Sequence, residues 1–569
     1  MKLFKEIGRR LTDQRSLFWY FIAVMIVPNV VMLYTESTPL IVRIASLLLP
    51  LGFYWWAMTW SRKPGKMFWA LFLFTFIAAF ELVLLYMFGE SPVAVDMCIN
   101  AFTTNPTEVD ELLGNLLPII VTVVLFYGGA IVLSIVSWRS RQKLSDAFRR
   151  RNRRWGLIVL VVGVLVTVAA KWLHRDFELR NDMLPVNVCY NMLLAADRMD
   201  RTAHYRESSS AFTYNASDTR PDSPGEIYVL VIGETLRADN LGVYGYERNT
   251  TPCLQSAGES AVVFKDAITM SNTTHKSVPL LLTSVASLDN YDSIYTHRSL
   301  FTAFREAGYQ TAFYSNQRRN HSFIDDMGEE ADEAVFVKDN VPVGHNVPDS
   351  VLIDLLTRRL AQRDSTHKLL IVLHCYGSHF NYRDRYDRGV FTPDFIPDAQ
   401  LRYRPQMVNA YDNTVYHTDR LVGQVARALE ATGRPCALLM TSDHGEDIYD
   451  DARHRFLHSS PLPTYYQLRV PLVVWGSPQY RSRYAAIWQQ LVAHRDAPVS
   501  TNRVVFHTLL DLCGVASEHV DPRQALGNAA FTPMKRRYVN DHNEYRALDS
   551  CGLKDLDVEQ FHRRGLQFP

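Results

Sequence analysis

Five long apolar segments in the first third of the chain restrict this protein to membrane-anchored architectures. They are Ser16–Tyr34, Leu40–Trp60, Met67–Phe88, Leu117–Trp138 and Gly156–Leu173. An apolar run of about 18 or more residues is long enough to cross a bilayer as a helix. The first run is too long for a signal peptide, and no small-residue cleavage site follows it before the second run. A purely soluble protein, a disordered chain and a disulfide-rich miniprotein are therefore excluded.

The charge pattern predicts which way these segments cross the membrane. The first 174 of the 569 residues contain 18 Lys and Arg against 10 Asp and Glu, whereas the rest contain 42 against 49. Sixteen basic residues lie in the N-terminal arm and in the connections after the second and fourth segments; the connections at 35–39 and 89–116 have none. Because basic residues stay in the cytoplasm, we predict a cytoplasmic N-terminus and an external C-terminal part.

Composition divides the chain into three predicted domains. Residues 1–174 form a transmembrane domain of five helices. Residues 175–225 are polar, with a stretch rich in Ser, Thr, Asp and Pro near Ser208–Pro224, and we interpret them as a bridging helix followed by a linker. Residues 226–569 read as an ordinary soluble domain outside the membrane.

Short apolar runs alternate with helical patterns in the outer domain. The runs are Glu226–Ile232, Ala261–Phe264, Gln310–Tyr314, Leu369–Leu373, Ala437–Met440 and Val470–Trp475, and the helical stretches include Ser299–Ala307, Val351–Gln362 and Met407–Ala431. This alternation predicts an α/β fold, with a mostly parallel sheet covered by helices on both faces. Ligands of such folds bind at the carboxyl ends of the strands.

Polar side chains follow four of these runs. Glu234 follows the first, Asn316 and Gln317 the third, His374 and His379 the fourth, and Asp443, His444 and Glu446 the fifth; His458 comes shortly after. One such residue could simply cap a helix, but carboxylates and imidazoles converging from several strand ends predict a metal site. These ligand types favour zinc, with manganese next, and an open coordination position would make the site catalytic.

Thr274 is the candidate nucleophile. A hydroxyl at a helix start gains amide donors and a favourable dipole for a phosphoryl oxygen, and metal coordination would activate it. The alternative is that Thr274 is a helix N-cap, and the two roles can coexist.

Taken together, these residues resemble the phosphoethanolamine transferases of Gram-negative envelopes, which include lipid A enzymes and mobile colistin-resistance enzymes. The resemblance covers nearly the whole chain. Its motifs are Gly233-Glu234-Thr235, Arg237-Ala238-Asp239, Gly245-Tyr246-x-Arg248, Thr274 before Ser277-Val278-Pro279, Gly377-Ser378-His379, Asn409-Ala410-Tyr411-Asp412-Asn413 and Ser442-Asp443-His444-Gly445-Glu446. It implies five spans followed by a domain of the alkaline phosphatase and sulfatase superfamily, in the bacterial inner membrane with a periplasmic catalytic domain.

The resemblance also implies roles for individual residues. Thr274 carries a phosphoethanolamine intermediate and joins Glu234, Asp443 and His444 as ligands of one zinc ion. His379 and His458 bind the substrate phosphate, act in proton transfer or hold a second zinc. Asn100, Thr104 and Glu108, which recur every four residues and would share one helix face, contact the ethanolamine side of the substrate.

The implied reaction moves phosphoethanolamine from phosphatidylethanolamine to an envelope glycolipid, with lipid A as the expected acceptor and polymyxin resistance as the expected consequence. The expected protein is a monomer that binds no nucleic acid. The alternatives are a phosphoglycerol donor, a core sugar or other glycan as acceptor, a simple hydrolase, and a membrane scaffold with an inactive domain.

One departure from the family sets this chain apart. Many members stabilise the outer domain with several disulfides. In this chain the positions that flank the nucleophile segment are Met270 and Leu280 instead of cysteines. The seven cysteines are scattered and odd in number, so no disulfide framework is predicted.

Overall fold

The structure is a computed structural model that describes residues 13–35, 38–88, 94–103, 106–175, 177–223, 225–342, 344–397 and 400–569. At 84, 86–88, 100–103 and 106–118 it describes the backbone alone. The chain divides into two compact units. The N-terminal unit comprises Met1–Cys98 and Leu116–Ala196, and the C-terminal unit comprises Ile99–Asn115 and Asp197–Pro569.

Long apolar helices dominate the first two hundred residues. The helices are α1 Gln14–Thr35, α2 Leu40–Met58, α3 Pro64–Ala70, α4 Phe72–Phe88, α5 Val95–Thr103, α6 Pro106–Arg139, α7 Asp146–Leu173 and α8 Val186–Ala203. Among the described residues, four stretches are long and apolar enough to cross a membrane: α1, α2, the Ile119–Arg139 part of α6, and α7. The pair α3 and Phe72–Val83 of α4 is bent by 69° and makes a fifth span if counted as one. The predicted α-helical membrane domain is confirmed.

Several of the predicted spans differ in detail from the observed helices. The predicted third span, Met67–Phe88, is broken at Leu71. The preceding helix α3 packs closely on α6, because a Cβ on Gly65 would lie 2.1 Å from the Ser134 carbonyl oxygen and the Gly65 amide donates to Ser137 Oγ at 2.9 Å. Helix α7, which contains the fifth predicted span, begins at Asp146, ten residues before Gly156. Ser145 Oγ caps it by accepting from the Phe148 amide.

A seven-stranded sheet forms the centre of the C-terminal unit. Its strands are β1 Ile227–Gly233, β2 Ala261–Val263, β3 Gln310–Ser315, β4 Glu333–Phe336, β5 Leu369–His374, β6 Cys436–Ser442 and β7 Leu472–Gly476, in the order β2-β7-β6-β1-β5-β3-β4. The run from β6 to β4 is parallel, and β7 is antiparallel to both of its neighbours. The predicted mixed, mostly parallel sheet is confirmed; β4 is the strand that the sequence did not indicate.

The helices of this unit bury the sheet. Those of six or more residues are α9 Pro252–Ala257, α10 Thr274–Leu282, α11 Leu300–Glu306, α12 Phe323–Gly328, α13 Val351–Gln362, α14 Arg404–Glu430, α15 Pro478–Arg483, α16 Ala485–Ala493, α17 Thr501–Cys513 and α18 Asp555–Arg563. Every residue of β1, β5 and β6 is buried, as expected of central strands of a sheet covered on both faces.

The polar stretch at 209–223 is packed rather than free. Tyr214 is fully buried and its hydroxyl donates to the Arg298 carbonyl at 2.6 Å, while Ser217 and Asp218 pair with Ala516 and Val515. None of the seven cysteines, each within the described part of the chain, forms a disulfide.

Candidate active site

The carboxyl ends of two neighbouring strands bring the predicted acidic residues together. Gly233 at the end of β1 pairs with Ser442 at the end of β6, so Glu234 and Asp443 leave the sheet side by side. The Thr235 amide donates to Asp443 Oδ1 at 3.0 Å. Glu234, Asp443 and His444 are each at most 1% exposed. Parallel pairing of two buried strands therefore creates a concentrated cluster of polar ligand atoms.

Thr274 points its hydroxyl into this cluster. Its Oγ1 lies 3.0 Å from His444 Nε2 and 3.3 Å from both carboxylate oxygens of Glu234. Thr274 is the first residue of α10, and Thr273 occupies the N-cap position with extended backbone. The alternative of Thr274 as the N-cap is therefore wrong, since its hydroxyl turns to the cluster instead of to the helix amides.

Three oxygen atoms lie around His444 Nε2. Because His444 Nδ1 lies 2.9 Å from the Gly445 carbonyl oxygen, Nδ1 is the donor and Nε2 carries the lone pair of the neutral ring. Besides Thr274 Oγ1, Asp443 Oδ2 lies 3.2 Å and Glu234 Oε1 3.6 Å from this nitrogen. Asp443 Oδ2 is buried and no described residue donates a hydrogen bond to it. An uncompensated buried acceptor beside other acceptors fits a cation, and two carboxylates with one imidazole suit zinc.

His458 joins the same cluster. Glu234, His444 and His458 each offer a ligand atom, and these atoms lie within 4.8 Å of one another. His458 Nδ1 lies 3.1 Å from Glu446 Oε1, and Tyr382 donates to Glu446 Oε2 at 2.7 Å. A carboxyl group behind one imidazole nitrogen fixes the ring and leaves the other nitrogen for a ligand. Glu446, whose role the sequence left open, thus orients His458.

His379 lies at the edge of the cluster. Its ring centroid is 5.6 Å from that of His458, and its ring stacks on Tyr376 and packs against Phe380. Its Nδ1 is buried, with no hydrogen-bond partner among the described residues. His379 is therefore held by packing while one ring nitrogen remains available to a substrate.

Burial governs the electrostatics of the cluster. Burial, together with the nearby Asp443 carboxylate, raises the pKa of Glu234 well above its usual range. Burial lowers the pKa of His444 and of His458 to about 4, lowers that of His379 well below its usual range, and raises that of Glu446 to about 8. The imidazoles are therefore neutral near pH 7, which is the form that binds metals.

Residues next to the candidate ligands Glu234 and His458 have a strained backbone. Thr235 adopts a left-handed conformation at φ 60°, and Leu457 and Ser459, on either side of His458, do so at φ 74° and 59°. Left-handed backbone is costly for residues other than glycine, and it persists at functional sites where the surroundings enforce it. At Thr235 the enforcement is visible, since Tyr411 donates to its carbonyl at 2.7 Å.

The loop after β5 contacts Glu234 through its backbone. Gly377 has φ +50°, and a Cβ at this position would lie 2.7 Å from the Glu234 carbonyl oxygen. Only glycine allows this approach, because it combines a left-handed φ with the absence of a side chain. This explains the glycine of the Gly377-Ser378-His379 motif.

Several contacts that hold the site had no role assigned from the sequence. Gln317 Nε2 donates to Glu234 Oε2 at 3.1 Å and lies 3.3 Å from His374 Nε2. Asn502 on α17 accepts from the Met270 amide at 2.7 Å and donates to the Ser277 carbonyl at 2.9 Å. Gln317 follows a strand end, so its position was predictable. Asn502 lies more than 200 residues away on a helix and carries no local signal.

A second buried amide joins the loop before Thr274 to the loop that holds His458. Asn272 Nδ2 donates to the Ser460 carbonyl at 2.8 Å and to Gln467 Oε1 at 2.7 Å. Gln467 Nε2 in turn donates to Asp447 Oδ2 at 2.7 Å. This network holds the loops of Thr274 and His458 in a fixed position relative to each other, because both residues lie next to it in sequence.

The remaining motif residues are structural. Arg237 forms two bonds to Asp450, and Asp412 accepts from Asn240, Tyr246 and Arg248. Asn316 donates to Asp349 at 2.8 Å. For the predicted ethanolamine contacts, the structure describes only the backbone at Asn100 and Glu108, and Thr104 lies outside the described residues; that prediction stays untested.

Comparison with known proteins agrees with this architecture. The family model for sulfatases matches residues 226–515, just over half of the chain. The chain belongs to the sulfatase family. Within this family it is similar to phosphoethanolamine transferase EptC of Escherichia coli O18:K1:H7 (strain RS218 / NMEC), with 26% identity over 346 residues and 59% of each chain covered.

Two further comparisons concern the acceptor and the fold. The Kdo(2)-lipid A phosphoethanolamine 7''-transferase of Escherichia coli K12 is 30% identical over 320 residues, with 54% of each chain covered. The integral membrane protein lipooligosaccharide phosphoethanolamine transferase A from Neisseria meningitidis has a structure that matches 91% of this chain and 97% of its own, with a TM-score of 0.70 and 19% identity. The chain spans 54–59% of the length of these two curated relatives. The predicted resemblance is confirmed, and the last match confirms the fold along almost the whole chain.

Proposed function

We propose that this sulfatase-family protein transfers phosphoethanolamine from phosphatidylethanolamine to a lipid-linked envelope acceptor, lipid A, with Thr274 as the covalent carrier. The observation that carries the proposal is the Thr274 hydroxyl, 3.0 Å from His444 Nε2 and 3.3 Å from Glu234. A hydroxyl aimed into a buried cluster of metal-ligand atoms is the arrangement of an activated nucleophile. The names of the curated relatives supply the transferred group and the acceptor.

Glu234, Asp443 and His444, with Thr274 Oγ1, are the residues that would hold a zinc ion; His458 is placed to join them or to hold a second one. When bound, the zinc would supply positive charge that lowers the pKa of the hydroxyl and stabilises the phosphoryl oxygens. The side chains of Gln317 and Glu446 keep Glu234 and His458 in position through single hydrogen bonds.

The chemistry then follows two displacements. The Thr274 oxygen forms a bond to the phosphorus of phosphatidylethanolamine, and the bond from phosphorus to diacylglycerol oxygen breaks. The proton that leaves the Thr274 hydroxyl ends on the leaving oxygen, and the neutral ring of His379 is available to relay it, because its buried Nδ1 has no partner among the described residues. An acceptor oxygen next attacks the same phosphorus, the bond to Thr274 breaks, and the threonine hydroxyl regains a proton.

The anchor matches substrates that are themselves lipids. Four or five apolar helices precede the catalytic unit, and tethering keeps an active site near lipid headgroups. With the basic residues of the N-terminal part in the cytoplasm, the catalytic unit would lie in the periplasm of a Gram-negative cell, attached to the inner membrane. Adding an amine to an anionic lipid would reduce the negative charge of the membrane surface, and this would weaken the binding of polymyxins.

Mass spectrometry of lipid A tests the proposal in a Gram-negative host that expresses the wild type, T274A or T274S. We expect a phosphoethanolamine adduct with the wild type, none with T274A, and a reduced amount with T274S, which keeps a hydroxyl. A phosphoglycerol adduct would assign the other donor. Unmodified lipid A in all strains, with membrane insertion and metal content intact, would refute lipid A as acceptor.

A further inference from the structure

A polar cavity of about 390 Å³ opens in the C-terminal unit beside the loop that carries His379. It is lined by residues of the 377–390 loop, the preceding 348–350 turn and helix α14. Three arginines line it, namely Arg385, Arg388 and Arg420, along with His417. Nothing in the mechanism above uses this space.

One loop separates the cavity from the active site. Gly377 lines the cavity and also touches the Glu234 backbone. The same loop is fixed from the cavity side, where Asp349 accepts from the Tyr376 and Gly377 amides at 2.8 Å each. Arg385 donates to the His379 carbonyl at 3.2 Å. An occupant of the cavity would therefore lie next to the catalytic loop without reaching Thr274.

The cavity presents positive charge. Arg388 and Arg420 are exposed, and within the described chain no carboxylate forms a salt bridge with either of them. Of the two aspartates in the lining, Asp349 already accepts three hydrogen bonds, and only Asp387 is exposed. Arginine side chains are well suited to phosphate, because the guanidinium offers paired donors.

An apolar side chain stands beside this charge. Val390 lines the cavity and is 55% exposed. A single exposed apolar residue is ordinary. Within a cavity of arginines, however, it completes the chemistry that recognises an amphiphile with an anionic headgroup and an acyl chain.

We propose that this cavity binds a phosphate group of a lipid, with Arg388 and Arg420 on the phosphate and with Val390 against the hydrocarbon. The inference rests on the transferase function for its role: the lipid would be the acceptor, held by a phosphate distant from the atom that reacts. Arg385 joins the wall of the cavity to the His379 loop, so occupancy would also steady the catalytic histidine.

Native mass spectrometry of the full-length protein in detergent micelles tests the binding. The probes are phosphatidic acid, diacylglycerol with the same acyl chains, and inorganic phosphate. R388Q/R420Q removes the two exposed charges and leaves Arg385 intact. R358Q/K535Q is the matched control, because it removes two exposed charges that do not line the cavity.

We expect R388Q/R420Q to bind phosphatidic acid at least about ten-fold more weakly than the wild type, since it loses charge-assisted hydrogen bonds, and we expect the control to match the wild type. The wild type and both variants should bind diacylglycerol equally, and excess inorganic phosphate should not displace phosphatidic acid. Equal binding of phosphatidic acid by all three proteins would overturn the inference. Complete displacement by inorganic phosphate would overturn the lipid assignment.

A kinetic measurement separates this inference from the proposed function. If the wild type transfers phosphoethanolamine to lipid A, R388Q/R420Q should raise the KM for lipid A about ten-fold and leave kcat within a factor of about two. An unchanged KM would overturn the acceptor role. If the wild type transfers to no lipid, the proposed function fails, while the phosphatidic acid result still decides whether the cavity binds lipid phosphate.

Discussion

Substituting Gly377 with alanine should inactivate the enzyme by moving Glu234. The new Cβ would lie 2.7 Å from the Glu234 carbonyl oxygen and 2.9 Å from its amide nitrogen, and both neighbours are backbone atoms at the end of a buried strand. An ordinary contact begins at 3.4 Å, so the Glu234 backbone must retreat by about 0.7 Å. The carboxylate that contacts Thr274 moves with it.

The size of the effect follows from two separate costs. A left-handed conformation costs alanine roughly 1–2 kcal/mol, which lowers the free energy of unfolding without changing the site. Misplacing a catalytic group by 1 Å reduces the rate by about 100-fold, so a shift of about 0.7 Å should reduce kcat about 10- to 100-fold. Metal affinity should fall as well, since Glu234 is a proposed ligand.

Gly433→Ala is the matched control. Gly433 also has a left-handed backbone, at φ +66°, but a Cβ there meets nothing within 4 Å. Transfer rates of the purified full-length proteins, their metal content and their thermal unfolding should be measured together. We expect G377A to be destabilised at least as much as G433A, since it adds a clash to the same backbone cost, and we expect loss of rate and metal in G377A alone. A G377A enzyme with the rate and metal content of G433A would refute the assigned role of this contact.

Three further results are expected. N502A should destabilise the protein by about 2–4 kcal/mol, because it leaves the buried Met270 amide without a partner and removes the bonds from Asn502 to the Ser277 carbonyl and hydroxyl; urea unfolding against the more exposed N528A tests this. Burial lowers the pKa of His507 to about 4, so the unfolded state takes up the proton first below about pH 6.5 and the contribution of His507 to stability falls by about 1.4 kcal/mol per pH unit down to about pH 4; the slope should be shallower in H507Q, and an equal slope would contradict the assignment. Removing metal with a chelator should abolish transfer, and zinc should restore it; activity that survives verified metal removal would exclude a catalytic metal.

The fold was largely predictable because its strands are unusually apolar. Runs such as Leu369–Leu373 fall between polar segments, and each overlaps a strand of the central sheet. The short strand Glu333–Phe336 escaped prediction, since an edge strand needs no continuous apolar run. The bend at Leu71 was not predicted either, because no helix-breaking residue marks it. Close backbone packing at Gly65 accompanies the bend instead.

The candidate site was predictable where residues follow strand ends. The topology of a parallel sheet brings such positions together, so Glu234, Asp443 and His444 meet as expected. Residues that support them from elsewhere could not be predicted. Asn502 acts from a distant helix, and the position of Glu446 behind His458 depends on the loop between them, whose path no periodic pattern determines.

The central claim is that Thr274 carries the transferred group. Purified full-length wild type, T274S and T274A should be incubated with phosphatidylethanolamine without acceptor, quenched in acid and mapped by peptide mass spectrometry. We expect a phosphoethanolamine adduct on the peptide containing residue 274 in the wild type and in T274S, with one diacylglycerol released per adduct, and no adduct in T274A. An adduct on another residue, or transfer by T274A at the rate of the wild type, would contradict the account.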